Sequence, residues 1–165
     1  MKKINPINVG IFCGAVGIGY SLFLYFIEKK MLFGAFAWLN ILVLLSAILL
    51  AALAERQLNG GIIAFKPALK AAFTGLLVCN LVLSVFDYAF YNFIDKSLTP
   101  LYKQEQRQRI AQSPNIGEEK RQEVLAQIDQ SPDSYPLGGA IFKYFLIACI
   151  GFVPAVGAAI LLKNE

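Results

Sequence analysis

The chain has 165 residues, of which 57% are hydrophobic and 16% charged, with a formal net charge of +4 and no histidine. A soluble domain is about 45–50% apolar and about 25% charged, so a chain of this size could not hide its apolar surface in a core, and lipid must be the solvent for much of it. The basic excess is read as lysine and arginine flanking membrane spans rather than as a nucleic-acid footprint, and the lack of histidine excludes imidazole-activated nucleophiles and His-ligated metal sites.

The first apolar run, Ile7 to Ile27, follows Met1-Lys2-Lys3. Its length of 21 residues exceeds the 7–15 of a signal-peptide core, and Glu28-Lys29-Lys30 separates it from Ala35-Phe36-Ala37, the triplet that resembles a cleavage site. A retained first helix is expected, with Gly10, Gly14, Gly17 and Ser21 forming a small-residue stripe for close packing. A short turn at Glu28-Lys29-Lys30 then makes an antiparallel hairpin with the second span, Phe33 to Ala54, which carries Asn40.

The second connection, Glu55 to Lys70, contains "NGGIIAFKPALK". A Walker-type phosphate loop needs separated glycines, a lysine followed by serine or threonine and a preceding strand. Here the glycines are adjacent and Lys66 is followed by Pro67. Asn59-Gly60-Gly61 is better read as a turn that tolerates positive φ. Lys66 and Lys70, one helical turn apart, snorkel toward anionic headgroups of the lipid bilayer.

The third span, Ala71 to Ile94, holds Asn80, Ser84, Asp87 and Tyr91 at spacings of four, three and four, which places them on one helical face. A carboxylate inside a span is costly against lipid, so this face is expected to point into the bundle or a watery crevice. Lys143 in the fourth span is the charge at matching depth, and Tyr20, Ser21, Asn40 and Tyr144 lie in the same half of the membrane. Two readings stay open: these residues hydrogen-bond helices to one another, or they line a polar pocket.

Between the third and fourth spans, residues 95 to 138 hold 13 of the 26 charged residues. Pro100 at a helix entrance, and Asn115 as a cap with Glu118 three residues on and Pro132 past the end, predict an extramembrane helical hairpin over about 98–131. Val124, Leu125 and Ile128 form the narrow apolar stripe of its second helix. The fourth span, Gly139 to Leu162, carries a second small-residue stripe, Ala148, Gly151, Ala155 and Ala158, and Pro154 should kink it. No span has a period of two, so the expected class is all-α, a single four-transmembrane-helix bundle over 1–165. All seven tyrosines and Trp38 lie in or beyond the hairpin-side half of the membrane, as in an aromatic belt.

Cys13, Cys79 and Cys149 are odd in number and lie within spans, which fits packing residues and neither a disulfide framework nor a metal site. With no catalytic set and no cofactor motif, no enzymatic activity and no cofactor are expected.

"NGGIIAFKPALKAAF", the span ending "YNFIDKSLTPLY" and the charged "NIGEEKRQEVLAQI" together resemble a domain-of-unknown-function family of small bacterial four-span integral membrane proteins. The resemblance implies the four-span architecture and a bacterial inner membrane, and it brings no established activity. One departure is the polar "QIDQSPDSYPLGG", where a more apolar second hairpin helix would be expected.

Lys2, Lys3, Arg56, Lys66, Lys70 and Lys163 share one face with both termini and lie close to helix ends, so the termini are expected in the cytoplasm. Two function classes follow: a non-enzymatic subunit or assembly protein whose 95–138 hairpin engages a membrane protein partner, or a small transporter or channel component using the crevice near Asp87. Homo-oligomerisation through the small-residue stripes is a further alternative to their use within the bundle.

Overall fold

The computed structural model describes residues 5–113, 117–132 and 134–164, leaving aside the side chains at positions 35 and 37. Among the described residues it is all-helical, and four helices are long and apolar enough to cross a membrane. They are α1 (Pro6–Ile27), α2 (Asn40–Leu58), α3 (Phe65–Ala89, extended by a π-helical turn over Phe90–Ile94) and α6 (Leu137–Leu162). Between α3 and α6 stand α4 (Leu98–Gln112) and α5 (Glu118–Gln130).

Each boundary has a local cause. The Asn5 side chain accepts the Asn8 N–H at 2.8 Å and Pro6 opens α1, which satisfies one orphan donor and presets the first φ. Between α2 and α3, Gly60 and Gly61 take φ of 73° and 92°, values that cost a side chain but not glycine. That turn is pinned by the Arg56 Nε donating to the Gly61 carbonyl at 2.8 Å and by Asn164, whose amide donates to the same carbonyl at 2.9 Å.

The second span begins later than the apolar run predicts. Residues Lys29–Phe33 and Ala35–Leu39 form two 3₁₀ turns, and α2 starts only at Asn40. The connection is therefore longer than the short turn expected at Glu28-Lys29-Lys30. Tertiary contacts account for this: Phe33 is buried with Phe90 and Leu98, and the Arg109 guanidinium of α4 donates to the Phe33 carbonyl. The first of the two turns is held at the root of the hairpin instead of continuing the helix.

The third span also begins earlier, so Lys66 and Lys70 sit within α3 rather than ahead of it. Its 30 residues would run about 45 Å at 1.5 Å each, against about 30 Å of hydrocarbon. Both ends therefore reach the headgroup regions, with the lysines at one and Asp95 just past the other.

α3 is the central helix, packed on α1, α2 and α6. Since lipid supplies no hydrophobic drive between helices, close van der Waals approach holds the bundle, and small residues make that approach. A Cβ at Gly10 or Gly14 would meet the Val78 or Val82 side chain of α3 at 2.7 Å, and one at Gly151 would meet Leu76 at 2.5 Å. Both stripes are thus occupied inside the chain. α6 continues through Pro154, whose missing N–H leaves the Ile150 carbonyl without its usual donor. The outer faces are apolar, with Phe26 and Leu161 each 80% exposed, as lipid-facing residues should be.

The hairpin stands on α4. Leu98 and Thr99 are buried at its foot, whereas no residue of α5 is buried, in keeping with the polar sequence around it. Val124, Leu125 and Ile128 are half-buried, and α5 packs on α4. Lys103 donates to the Ser131 carbonyl at 2.6 Å, and Arg107 pairs with Asp129. Gly117, rather than Asn115, occupies the cap position of α5, and Asn115 itself lies outside the described residues.

Candidate functional site

Six polar residues singled out by spacing and depth, Asn40, Asn80, Ser84, Asp87, Tyr91 and Lys143, all line one cavity of about 260 Å³ between α1, α2, α3 and α6. Ser21 joins them, and Leu24, Leu44, Leu83 and Ile147 supply apolar wall. Three turns of α3 present four of the polar groups because spacings of three and four stay on one face. α6 brings Lys143 across to them.

Their roles differ. The Asn80 amide, 2% exposed, donates to the Tyr144 carbonyl at 3.0 Å and so joins α3 to α6. That is the helix-bridging role. The Lys143 ammonium donates to Asp87 Oδ2 at 2.8 Å. The Asn40 amide reaches Ser21 Oγ at 3.4 Å, while its Oδ1 is buried without a hydrogen-bond partner among the described residues. A buried acceptor left unpaired costs about 1–3 kcal/mol. Tyr20 and Tyr144 do not line the cavity: the Tyr20 hydroxyl donates to the Phe36 carbonyl at 2.9 Å, and Tyr144 belongs to an apolar groove with Phe73 and Phe152.

A second cavity of about 180 Å³ lies on the hairpin side, lined by Asp87, Tyr91, Thr99, Tyr102, Tyr135 and Lys143. It shares Asp87, Tyr91 and Lys143 with the first, so the ion pair stands at the waist between them. Thr99 is 7% exposed and its hydroxyl has no partner among the described residues. The Tyr91 and Tyr135 rings lie 5.4 Å apart. Tyr135 is fixed by Asn92, whose amide donates to its carbonyl at 3.0 Å and whose Oδ1 accepts its N–H at 3.1 Å. Burial pushes the Tyr135 hydroxyl pKa up, which keeps it a protonated donor. Thr99, Tyr102 and Tyr135 carried no signal in the sequence, because the segments flanking the hairpin lack the periodicity that marks a buried face.

The rim is organised by Asp95. It accepts from the Tyr25 hydroxyl at 2.8 Å, from the Lys29 ammonium, and from the Ser97 N–H and hydroxyl at 2.9 and 2.6 Å. The Lys29 and Ser97 hydrogen bonds hold its carboxyl well below the usual carboxylate range, and the same carboxylate raises Lys29. This hub ties the end of α1 and the 3₁₀ segment to the root of the hairpin.

At the opposite end of the bundle, Lys66 and Lys70 line a separate cleft with Asn5, Glu55 and Thr74. Among the described residues no group of three His, Cys, Asp or Glu side chains is placed to hold a metal ion.

A family model described as "Protein of unknown function (DUF4199)" matches residues 8–164. No curated protein and no solved structure matches the chain.

Proposed function

The chain belongs to the DUF4199 family of proteins of unknown function, and from that premise, which carries no activity with it, we propose a non-enzymatic, multi-pass membrane protein that binds a small polar ligand in the crevice beneath its hairpin. The observation that carries this reading is the cavity around Asp87 and Lys143, lined also by Asn40, Asn80, Ser84 and Tyr91. An ion pair within a span, here with Asp87 26% and Lys143 49% exposed, is costly against lipid without a compensating use. The opposite half of the bundle is packed tight by Ala47, Ala51, Ala72 and Ala155, each 0% exposed. A cavity confined to the hairpin-side half, with close-packed alanines beyond it, favours binding over conduction. We place the protein in a bacterial inner membrane, with both termini cytoplasmic and the hairpin outside.

A second reading, a subunit or assembly protein that meets a membrane partner through residues 95–138, is favoured by the bare surface of α5. The two are compatible, since a ligand beneath the hairpin would report to whatever sits on it.

The test is thiol access. In a chain without native cysteines, Ser84→Cys should react with a small, charged thiol reagent added from the hairpin side, whereas Ala72→Cys, in the packed half, should not. Equal sluggishness at the two positions would remove the crevice reading.

A further inference from the structure

We infer that the ligand of the crevice is a small zwitterion, carrying an ammonium and an oxyanion a few atoms apart. The assignment rests on the ligand-binding reading of the crevice and follows from charge balance. Asp87 and Lys143 neutralise each other at 2.8 Å and form the shared wall of two cavities. A lone cation or anion entering this region leaves a net charge where lipid surrounds the bundle, or displaces one member of the pair and strands the other; either is expensive. A molecule bearing both charges exchanges for the pair with no change in net charge. Its ammonium takes Asp87 and its oxyanion takes Lys143.

The side chains lining the two cavities match that exchange. On the inner side, Asn40 supplies an amide that can accept from an ammonium N–H. On the outer side, Thr99 and Tyr135 supply hydroxyls that can donate to an oxyanion. Leu24, Leu44 and Ile147 leave the remaining wall apolar, so a ligand with a hydrocarbon portion would bury it there. Two sources supply this chemistry: a free amino acid, and the ethanolamine phosphate headgroup of a zwitterionic lipid.

The experiment uses the full chain in nanodiscs of phosphatidylglycerol, which contain no zwitterionic headgroup. The probes are L-leucine and glycerophosphoethanolamine, with leucinamide as a cation-only and N-acetylleucine as an anion-only control. The readouts are the thermal unfolding midpoint of the unmodified chain and the rate of thiol modification of Ser84→Cys. A zwitterion should raise the midpoint and slow modification, the controls should need about tenfold or more higher concentration, and Asp87→Asn with Lys143→Met should abolish the response. Response to leucine alone assigns a free amino acid, and response to glycerophosphoethanolamine alone assigns a lipid headgroup. A control as effective as the zwitterions, or no response to either zwitterion, overturns the inference. In that case a reactive Ser84→Cys leaves the crevice reading standing, and an unreactive one removes both.

Discussion

Asp87 Oδ2 and Lys143 Nζ, 56 positions apart in the chain, meet at 2.8 Å across α3 and α6. Removing one partner leaves the other unpaired, and with Lys143 49% and Asp87 26% exposed, Asp87→Asn or Lys143→Met alone should lower stability in detergent by up to about 1 kcal/mol. The double variant should recover much of the loss. Thermal or denaturant unfolding of the four proteins closes the cycle, and additive losses would mean the pair is not coupled.

Asp95 should dominate acid sensitivity at the rim. Its folded pKa lies below the unfolded value, so its contribution is complete above about pH 4 and is lost as pH falls from there through the folded value. Asp95→Asn should lower stability near neutrality by up to about 1 kcal/mol, since solvent screens the pair. It should also flatten the stability profile below about pH 4 relative to the parent. Parallel profiles for the two proteins would show that the hub is not energetically linked to folding.

Helix approach can be tested with one methyl group. A Cβ at Gly75 would lie 2.4 Å from Ala51 Cβ and 2.8 Å from the Ala47 carbonyl oxygen, so Gly75→Ala must push α3 away from α2. Overpacking of this kind costs about 1–3 kcal/mol, partly offset by up to about 1 kcal/mol of helix propensity. At Gly19 nothing lies within 4 Å of an added Cβ, and Gly19→Ala should be neutral or mildly stabilising. Unfolding midpoints of the two variants give the comparison, and a loss at Gly19 matching that at Gly75 would contradict the packing argument.

The four spans were legible because lipid forces a simple code: a long apolar run whose backbone is satisfied within itself. The face of α3 was legible for a related reason, since Asn80, Ser84, Asp87 and Tyr91 can share a side only in a helix. Phe33 to Leu39 falls outside α2 because an apolar run reads the same whether it crosses lipid or leaves the helix: Phe33 packs at the root of the hairpin, while Phe36, Trp38 and Leu39 stay exposed. Thr99 and Tyr102 were invisible because α4 is polar nearly all round, and which of its residues face inward is decided by docking, through Arg109 and the buried Leu98. Asn164, which closes the α2–α3 turn, gave no warning either, as a lone asparagine at the end of a chain carries no pattern.

Topology follows from where the exposed ends lie. Lys66 and Gln122 are both exposed; Lys66 begins α3 and Gln122 stands on α5, so the length of α3 separates them. In a chain with Cys13, Cys79 and Cys149 replaced by alanine, Lys66→Cys and Gln122→Cys should label with a membrane-impermeant thiol reagent from opposite faces. We expect position 122 to react in intact cells whose inner membrane is sealed, and position 66 to react only after permeabilisation. That order follows from the basic residues nearest the helix ends, among them Arg56, Lys66, Lys70 and Lys163, staying on the cytoplasmic side. Lys29, Lys30 and Lys96 oppose this order from the hairpin side. Reaction of position 66 alone in sealed cells would invert the protein while leaving its spans intact. Reaction of both from one side would break the four-span arrangement itself, because no even number of crossings between α3 and α4 fits a single 30-residue helix.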